Sequence, residues 1–234
     1  MGMCNVDISV VIPCFRDDAA LGRLLSQLRA GASQPHEIVV VDAEDGAATH
    51  SLCQRWGARR LPSRPCRGAQ LRQGAFAATG DVIWFLHADA TLQGDPLGSI
   101  TQAMGRGAAG GYFRFRFAGA CRWQARVLER LINLRCRIGI PYGDQGLFMT
   151  VAAYVMAGGH SVSPLFEEVA LVRKLRQQGP FVVIDDGLRV DPRRWERDGW
   201  WRRSFRNRIL ALAFAAGLSP NVLARGYGNG ETGT

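Results

Sequence analysis

The segment Asp81-Val82-Ile83-Trp84-Phe85-Leu86-His87-Ala88-Asp89 joins an unbroken apolar run to two side chains that bind divalent metals. Val82 to Leu86 has the composition of a strand covered on both faces. His87 and Asp89 follow at its carboxyl end, two residues apart. In extended backbone, residues i and i+2 point the same way. In open α/β sheets, ligands bind beyond the carboxyl ends of the strands. An imidazole and a carboxylate aimed at that crevice suit a divalent cation and, through it, a phosphate. The plain alternative is a strand followed by ordinary loop polars. A second run, Glu37-Ile38-Val39-Val40-Val41-Asp42, also ends in an acid. Asp42 and Asp89 would then share one rim of a sheet.

Those positions depend on the elements around them. Ile8-Ser9-Val10-Val11-Ile12-Pro13 is a third apolar run, which the proline is expected to stop. Three such strands, each followed by helix-like sequence, imply a doubly wound sheet, and the first half reads βαβαβαβα. Asp17 and Asp18 open a helix carrying Leu21, Leu24, Leu25 and Leu28 on one face. Gly46 to Trp56 and Arg67 to Thr79 read as further helices, the latter with Leu71, Ala75 and Ala78 on one face and ended by Gly80. Asp95-Pro96 starts a fourth. Gly110 to Phe117 alternates apolar and basic residues, so one face is expected buried and one wet. Trp123 to Ile138 reads as a helix, Pro141 to Gly146 as a turn-rich loop, Glu167 to Gln178 as a helix burying Val169, Val172 and Leu175, and Phe181 to Ile184 as a strand. The tail is rich in arginine and tryptophan, and residues Gly226 to Thr234 are expected to fray.

The 234 residues suffice for one large α/β domain with a full core. Hydrophobic content of 47% and charged content of 21% are those of a globular protein. No run has the length of a membrane span, and Ile209 to Leu218 is too short for one. The first seven residues lack the pattern of a signal peptide. Six cysteines without a CxxC pair argue against zinc-ribbon and redox sites and fit reduced thiols, so a cytoplasmic location is expected. The net charge of +9 is carried by arginine, Lys174 being the sole lysine. Arginine suits phosphate and carboxylate recognition, and a biased genome is the other explanation. The charge admits a phosphorylated substrate or anionic headgroups. None of the recognised nucleic-acid motifs is present, so nucleic acid is not an expected partner.

The order of these segments resembles family 2 glycosyltransferases of the GT-A fold, nearest to a small bacterial group often associated with radical-SAM and arsenosugar pathways. The likeness runs from Ile8 to about Tyr227. It rests on Ser9-Val10-Val11-Ile12-Pro13, Val40-Val41-Asp42, Arg67-Gly68-Ala69-Gln70, Phe85-Leu86-His87-Ala88-Asp89, Tyr142-Gly143-Asp144-Gln145-Gly146, Pro164-Leu165-Phe166-Glu167-Glu168 and Arg194-Trp195. Each motif is weak alone and the ordered set is specific. The resemblance implies an α/β protein with a mostly parallel central sheet, helices on both faces and a helical C-terminal tail. It implies a single domain over 1–234, with a nucleotide-binding half (1–105), an acceptor half (106–198) and C-terminal helices (199–228). The implied activity is inverting, metal-dependent hexosyl transfer from a UDP- or GDP-type nucleotide-sugar, with Mg²⁺ or Mn²⁺ as cofactor.

The family's pattern also implies residue roles. Pro13 and Asp42 fall where the family holds the base and ribose; a carboxylate accepts well from hydroxyl and N–H donors. Here Ala43-Glu44-Asp45-Gly46 replaces the common Asp-Gly-Ser type sequence, and Asp45 shares the role. Arg67 and Gly68 match a nucleotide-side loop, where glycine permits close approach and arginine pairs with phosphate. His87-Ala88-Asp89 occupies the place of the Asp-x-Asp metal motif, with histidine for the first acid. Asp89 is then a metal ligand, and His87 a ligand, a hydrogen-bond donor behind the ligands or a structural imidazole. Glu167-Glu168 matches a Glu-Asp pair whose second member takes the acceptor proton, which points to Glu168 as base and to Glu167 as its orienting partner or as a ligand of a sugar hydroxyl. The bland alternative is two acids favouring a helix dipole. Asp144 and Gln145 fall where the family meets sugar hydroxyls. Arg194-Trp195 resembles the end of a Q-x-x-R-W motif, but Asp191 stands where Gln would, so processivity is not implied. Arg194 would meet the diphosphate and Trp195 a sugar face.

Two other readings compete: a nucleotidyltransferase of similar architecture, and a non-catalytic basic module for membrane or nucleic acid. The first lacks a Gly-rich cradle after the first strand; the second makes no use of Asp42, Asp89 and Glu168. The acceptor is a small molecule or a lipid-linked one. In the tail, Trp201, Phe205 and Leu212 can share one helix face bordered by arginines. That face is expected either to pack on the domain or a second copy of the chain, or to touch the inner face of a membrane weakly and in a salt-sensitive way.

Overall fold

A computed structural model describes residues 6–119 and 122–228. Cys4, Cys121 and residues 229–234 of the expected frayed end lie outside the described residues. Residues 226–228 of that end instead complete a helix.

Three strands form the centre: β1 (Ile8–Cys14), β2 (Glu37–Asp42) and, fourth along the chain, β4 (Val82–Phe85). Their β-branched and aromatic side chains alternate between two cores. Val10, Ile12 and Trp84 point to one face and Val11, Ile83 and Phe85 to the other. With β3 (Arg59–Pro62), β6 (Gly110–Phe113), β7 (Phe148–Thr150) and β8 (Phe181–Ile184) they make a seven-stranded sheet in the order β3-β2-β1-β4-β7-β6-β8. The pairs β1–β2, β1–β4, β2–β3 and β6–β8 are parallel, and β7 alone runs against its two neighbours. A separate ribbon pairs β5 (Thr91–Leu92) with β9 (Leu188–Arg189).

Helices cover both faces. On one lie α1 (Asp18–Ala30), α2 (Ala47–Trp56) and α4 (Pro96–Gly105), whose Leu21, Leu24, Leu28, Cys53, Leu97 and Ile100 pack on β1 and β4. On the other lie α3 (Arg67–Ala77), α6 (Val151–Ala157) and α7 (Val169–Gln178). Gly74 of α3 is needed there, because a Cβ would sit 2.3 Å from Val11. Then come α5 (Trp123–Ile138), α8 (Arg193–Asp198), α9 (Trp200–Ala215) and α10 (Pro220–Gly228). A third cluster, Phe115, Phe117, Leu128, Trp195 and Trp200, fixes α5, α8 and α9 to one another. The chain runs outward from β1 to β3 and returns to place β4 on the opposite side of β1. The carboxyl ends of β1 and β4 therefore flank a switch point, the place where such sheets bind ligands.

Several expectations need correction. Pro13 does not stop β1; it pairs with Val41, and the strand runs to Cys14. The ladder to β4 has already ended at Val11–Phe85, so the proline sits where a strand neighbour remains on one side only. His87 to Ala90 is a turn, closed by Ala90 N donating to His87 O at 3.1 Å, so His87 and Asp89 do not project from extended backbone. Only Gly110–Phe113 of the alternating segment is strand, and it is buried throughout. Beyond it the alternation holds, with Phe115 and Phe117 buried and Arg116 exposed. The predicted helix at Glu167 begins at Val169, with Glu168 as its cap residue. The Glu167-Glu168 pair therefore sits ahead of the first turn, on a loop that Phe166 enters with φ 58°. Helix α3 stops at Ala77, before Gly80.

Candidate active site

The parallel strands bring two groups of polar residues to one rim. Over β2, Asp42 is wholly buried. Arg60 Nε donates to its Oδ2 at 3.0 Å, and the Glu44 amide donates to its Oδ1 at 3.1 Å. Arg60 also pairs with Asp45, which has the positive φ of 58° that a short polar side chain tolerates. Pro13 lies next to this group through the β1–β2 register. Arg60 was not singled out from the sequence, since an arginine in a four-residue strand carries no local signal.

The second group lines a cleft of about 990 Å³, walled by Arg67, His87, Asp89, Asp144, Glu168 and Arg194 at its polar end. Arg67 opens α3 and grips both oxygens of Glu167, Nε donating to Oε1 and Nη2 to Oε2 at 3.2 Å. Gly68 does make a close approach, but to the protein itself. Its amide donates to Ser163 O at 3.1 Å, and a Cβ would lie 2.0 Å from Ser161 O. The loop carrying the acid pair is thereby pressed against α3.

Glu168 is the unusual member. Oε1 accepts from the Gly143 amide at 3.2 Å, while the buried Oε2 has no hydrogen-bond partner among the described residues. Burial pushes its carboxyl up to about 8, the neighbouring Glu167 charge adds to this, and Arg67 opposes it. Asp144, on the short 3-10 turn Gly143–Gln145, is also raised by burial, against the pull of Arg135 and Arg67. Gln145 turns inward. Its Nε2 donates to Phe113 O at 3.3 Å, and its Oε1 accepts from the Tyr142 amide at 3.3 Å and the Cys136 thiol at 3.1 Å. It holds the loop rather than lining the cleft.

Asp89 faces an arginine that sequence reasoning missed. Arg193 Nη2 lies 2.6 Å from Asp17 Oδ2 and 3.5 Å from Asp89 Oδ2, and its Nε is 3.7 Å from Asp191. The doublet Arg193-Arg194 was the available signal; the first arginine bridges the acids and the second lines the cleft. Trp195 packs edge-on against Phe117 at 5.0 Å, and its Nε1 donates to Ser204 at 3.3 Å. Arg135 lies 4.2 Å over the Tyr142 ring, and Phe166 stacks on Phe214 of α9 at 4.6 Å. Neither Arg135 nor Phe166 stood out as a site residue in the sequence.

Among the described residues, no three His, Cys, Asp or Glu side chains converge closely enough to hold a metal by themselves. His87 and Asp89 nevertheless suit a cation as two donors. His87 Nε2 is buried with no hydrogen-bond partner among the described residues, and burial, with the Arg67 charge, depresses the imidazole to about 3. A neutral imidazole keeps a lone pair for a ligand.

The family model described as glycosyl transferase family 2 matches residues 9–156. The chain belongs to glycosyl transferase family 2. Among curated relatives, uncharacterized glycosyltransferases of Mycobacterium bovis and Mycobacterium tuberculosis are 26% identical over 147 residues, 61% of this chain. The match spans 66% of the length of those relatives. Among solved structures, the chain is similar to S. aureus TarS residues 1–349 in complex with UDP (TM-score 0.60, 12% identity, 79% of this chain and 60% of that one). It is also similar to the mannosyltransferase PcManGT from Pyrobaculum calidifontis in complex with GDP-Man and Mn²⁺ (TM-score 0.64, 15% identity, 93% and 66%). These likenesses show the GT-A fold. Within a family 2 chain, the Asp42 group and the cleft occupy the two sides of the β1–β4 switch point.

Proposed function

We propose that this family 2 chain transfers a sugar from a nucleotide-diphospho-sugar to an acceptor hydroxyl with inversion, using Glu168 as the base. The observation that carries this is the Glu168 carboxyl group, buried in the cleft with one oxygen fixed by Gly143 and the other without a partner among the described residues. In the transfer, the acceptor oxygen bonds to the anomeric carbon as the bond to the diphosphate breaks. The acceptor proton passes to Glu168 Oε2, and the electron pair of the broken bond leaves on the diphosphate. Arg67 holds Glu167 and keeps the loop in place, and Arg194 meets the departing charge. Asp42 and Asp45, organised by Arg60, take the base and ribose beside Pro13. Asp144 meets sugar hydroxyls. A divalent cation, held by Asp89 and His87, would offset the charge of the leaving nucleoside diphosphate.

The UDP complex of TarS and the GDP-Man and Mn²⁺ complex of PcManGT support a UDP- or GDP-type donor and a metal of the Mn²⁺ or Mg²⁺ kind. The ordered motifs favour kinship with the bacterial group associated with radical-SAM and arsenosugar pathways. The test is a panel of nucleoside diphosphates in thermal-shift assays, with and without Mn²⁺, followed by hydrolysis of the matching donor sugars. A saturating diphosphate at one hundred times its dissociation constant should add about 2.7 kcal/mol. Stabilisation by UDP or GDP that needs metal is expected. Stabilisation by ATP or CTP, with release of diphosphate, would assign nucleotidyl transfer instead.

A further inference from the structure

The cleft has a second end that the sugar-transfer chemistry does not use. Beyond Glu168 it continues between α5 and α9, along Leu128, Leu131, Leu134, Trp201 and Phe205. Helix α9 is fixed from beneath, by buried Trp200 and by Arg203 Nη1 donating to Asp198 at 2.5 Å. Its outer face is therefore free of that duty. There Trp201, Phe205, Ile209 and Leu212, each one turn from the next, stay exposed. Trp123 of α5 meets Trp201 at 6.0 Å, so the apolar faces of the two helices adjoin. Trp201 and Phe205 of this face line the cleft itself, and an exposed apolar face joined to a polar cleft marks a binding site. Phe166, held with positive φ between the acid pair and Phe214, makes the junction between the two ends.

The charge around the groove narrows its occupant. Helix α9 carries four arginines and no acid, and Arg202 and Arg208 line the cleft. A neutral hydrocarbon would be served by the apolar faces alone; the arginines add a place for an anion. We propose that the acceptor is a single-chain anionic amphiphile. Its hydrocarbon chain lies between α5 and α9, a phosphate group meets Arg202 and Arg208, and a hydroxyl reaches Glu168. The binding half of this proposal stands on the groove, and only the fate of the hydroxyl rests on the sugar-transfer reading.

The probe is lauroyl lysophosphatidylglycerol below its critical micelle concentration. It has one chain, one phosphate and free hydroxyls. Binding to the full chain is followed by tryptophan emission and by calorimetry. Expected is saturable one-to-one binding, with glycerol phosphate at least tenfold weaker because it lacks the chain. Phe205→Ser and Leu131→Ser, at residues 69% and 53% exposed, remove little from the fold and should each weaken the lysolipid about tenfold. Arg208→Gln should weaken the lysolipid but not dodecyl maltoside. The proposal is overturned by absence of saturable binding, by equal affinity for glycerol phosphate, or by indifference to both serine variants. It is equally overturned by binding confined to phosphatidylglycerol vesicles, which would make the face a membrane contact, or by a stable dimer that buries it. Nucleoside diphosphate binding by the unmodified chain is measured separately. Lysolipid binding without it would retain the groove and remove the transferase reading; the converse would retain the transferase and remove the groove.

Discussion

Glu168 has two unequal oxygens, and this asymmetry suits a base. The oxygen held by Gly143 fixes the carboxylate's orientation, and the buried one is available to a proton. Because burial raises the group to about 8, it is largely protonated at neutral pH in the free protein. A base must be deprotonated, so kcat/KM should rise about tenfold per pH unit below pH 8 and level off above it. Glu168→Gln should keep nucleoside diphosphate affinity while lowering turnover by about 10² to 10⁴. Loss of nucleotide affinity in that variant, measured by calorimetry, would make Glu168 a binding residue instead. Asp89 makes a different demand. Its contact with Arg193 at 3.5 Å is long for an ion pair and compatible with exchange for a cation. Asp89→Asn should abolish Mn²⁺-dependent nucleotide binding with the fold intact by circular dichroism. Unchanged affinity would remove the metal assignment.

At the scale of elements, the loop before α7 owes its position to α3. Arg67 reaches Glu167 across one hundred residues of sequence, and Gly68 lets the backbone at Ser161 and Ser163 close in. Gly68→Ala would put a methyl group where backbone already sits, so something must move. Overpacking of this kind costs about 1–3 kcal/mol, and here it would also displace the acid pair. Urea denaturation should show that loss, with a fall in turnover alongside it. Full stability and activity would mean that the loop shifts freely. The same pair of elements separates what the sequence discloses from what it does not. Strands β1, β2 and β4 were legible because both faces are buried, which leaves uninterrupted apolar runs. Arg59–Pro62 was not, because its two arginines and proline leave no apolar run, and Phe148–Thr150 was not, because three residues are too few to carry a pattern. The motif Arg67-Gly68 was visible, and so was Glu167-Glu168. Their contact was not, since no local periodicity encodes a pairing between distant segments. Arg60 beside Asp42, and Arg193 beside Asp89, were hidden for the same reason.

Across the whole molecule, buried titratable groups pull stability in opposite directions. His87 and His160 are both held down to about 3 by burial. As pH falls below about 6.5 the unfolded chain takes protons that the folded chain refuses, so stability declines toward acid. Glu168 has the opposite sign. Its contribution is fully present below the ordinary glutamate value of 4.5 and is lost as pH rises toward about 8. Asp144, raised by burial, adds to that decline just above its own ordinary value. Where the windows overlap, two histidines act against Glu168; above about 6.5 the histidines no longer titrate and Glu168 remains. The expected result is a stability maximum near pH ~6.5, with a decline on the alkaline side before the thiols of Cys14 and Cys53, themselves pushed up to about 12 and about 11, begin to matter. Thermal melts of the ligand-free chain between pH 5 and about 8.5 read both limbs. Glu168→Gln should flatten the alkaline limb and leave the acid limb in place, because the amide has no proton to lose. A maximum at pH 8 or above, or an alkaline decline unchanged in that variant, would show that Glu168 is not the buried acid that governs this range.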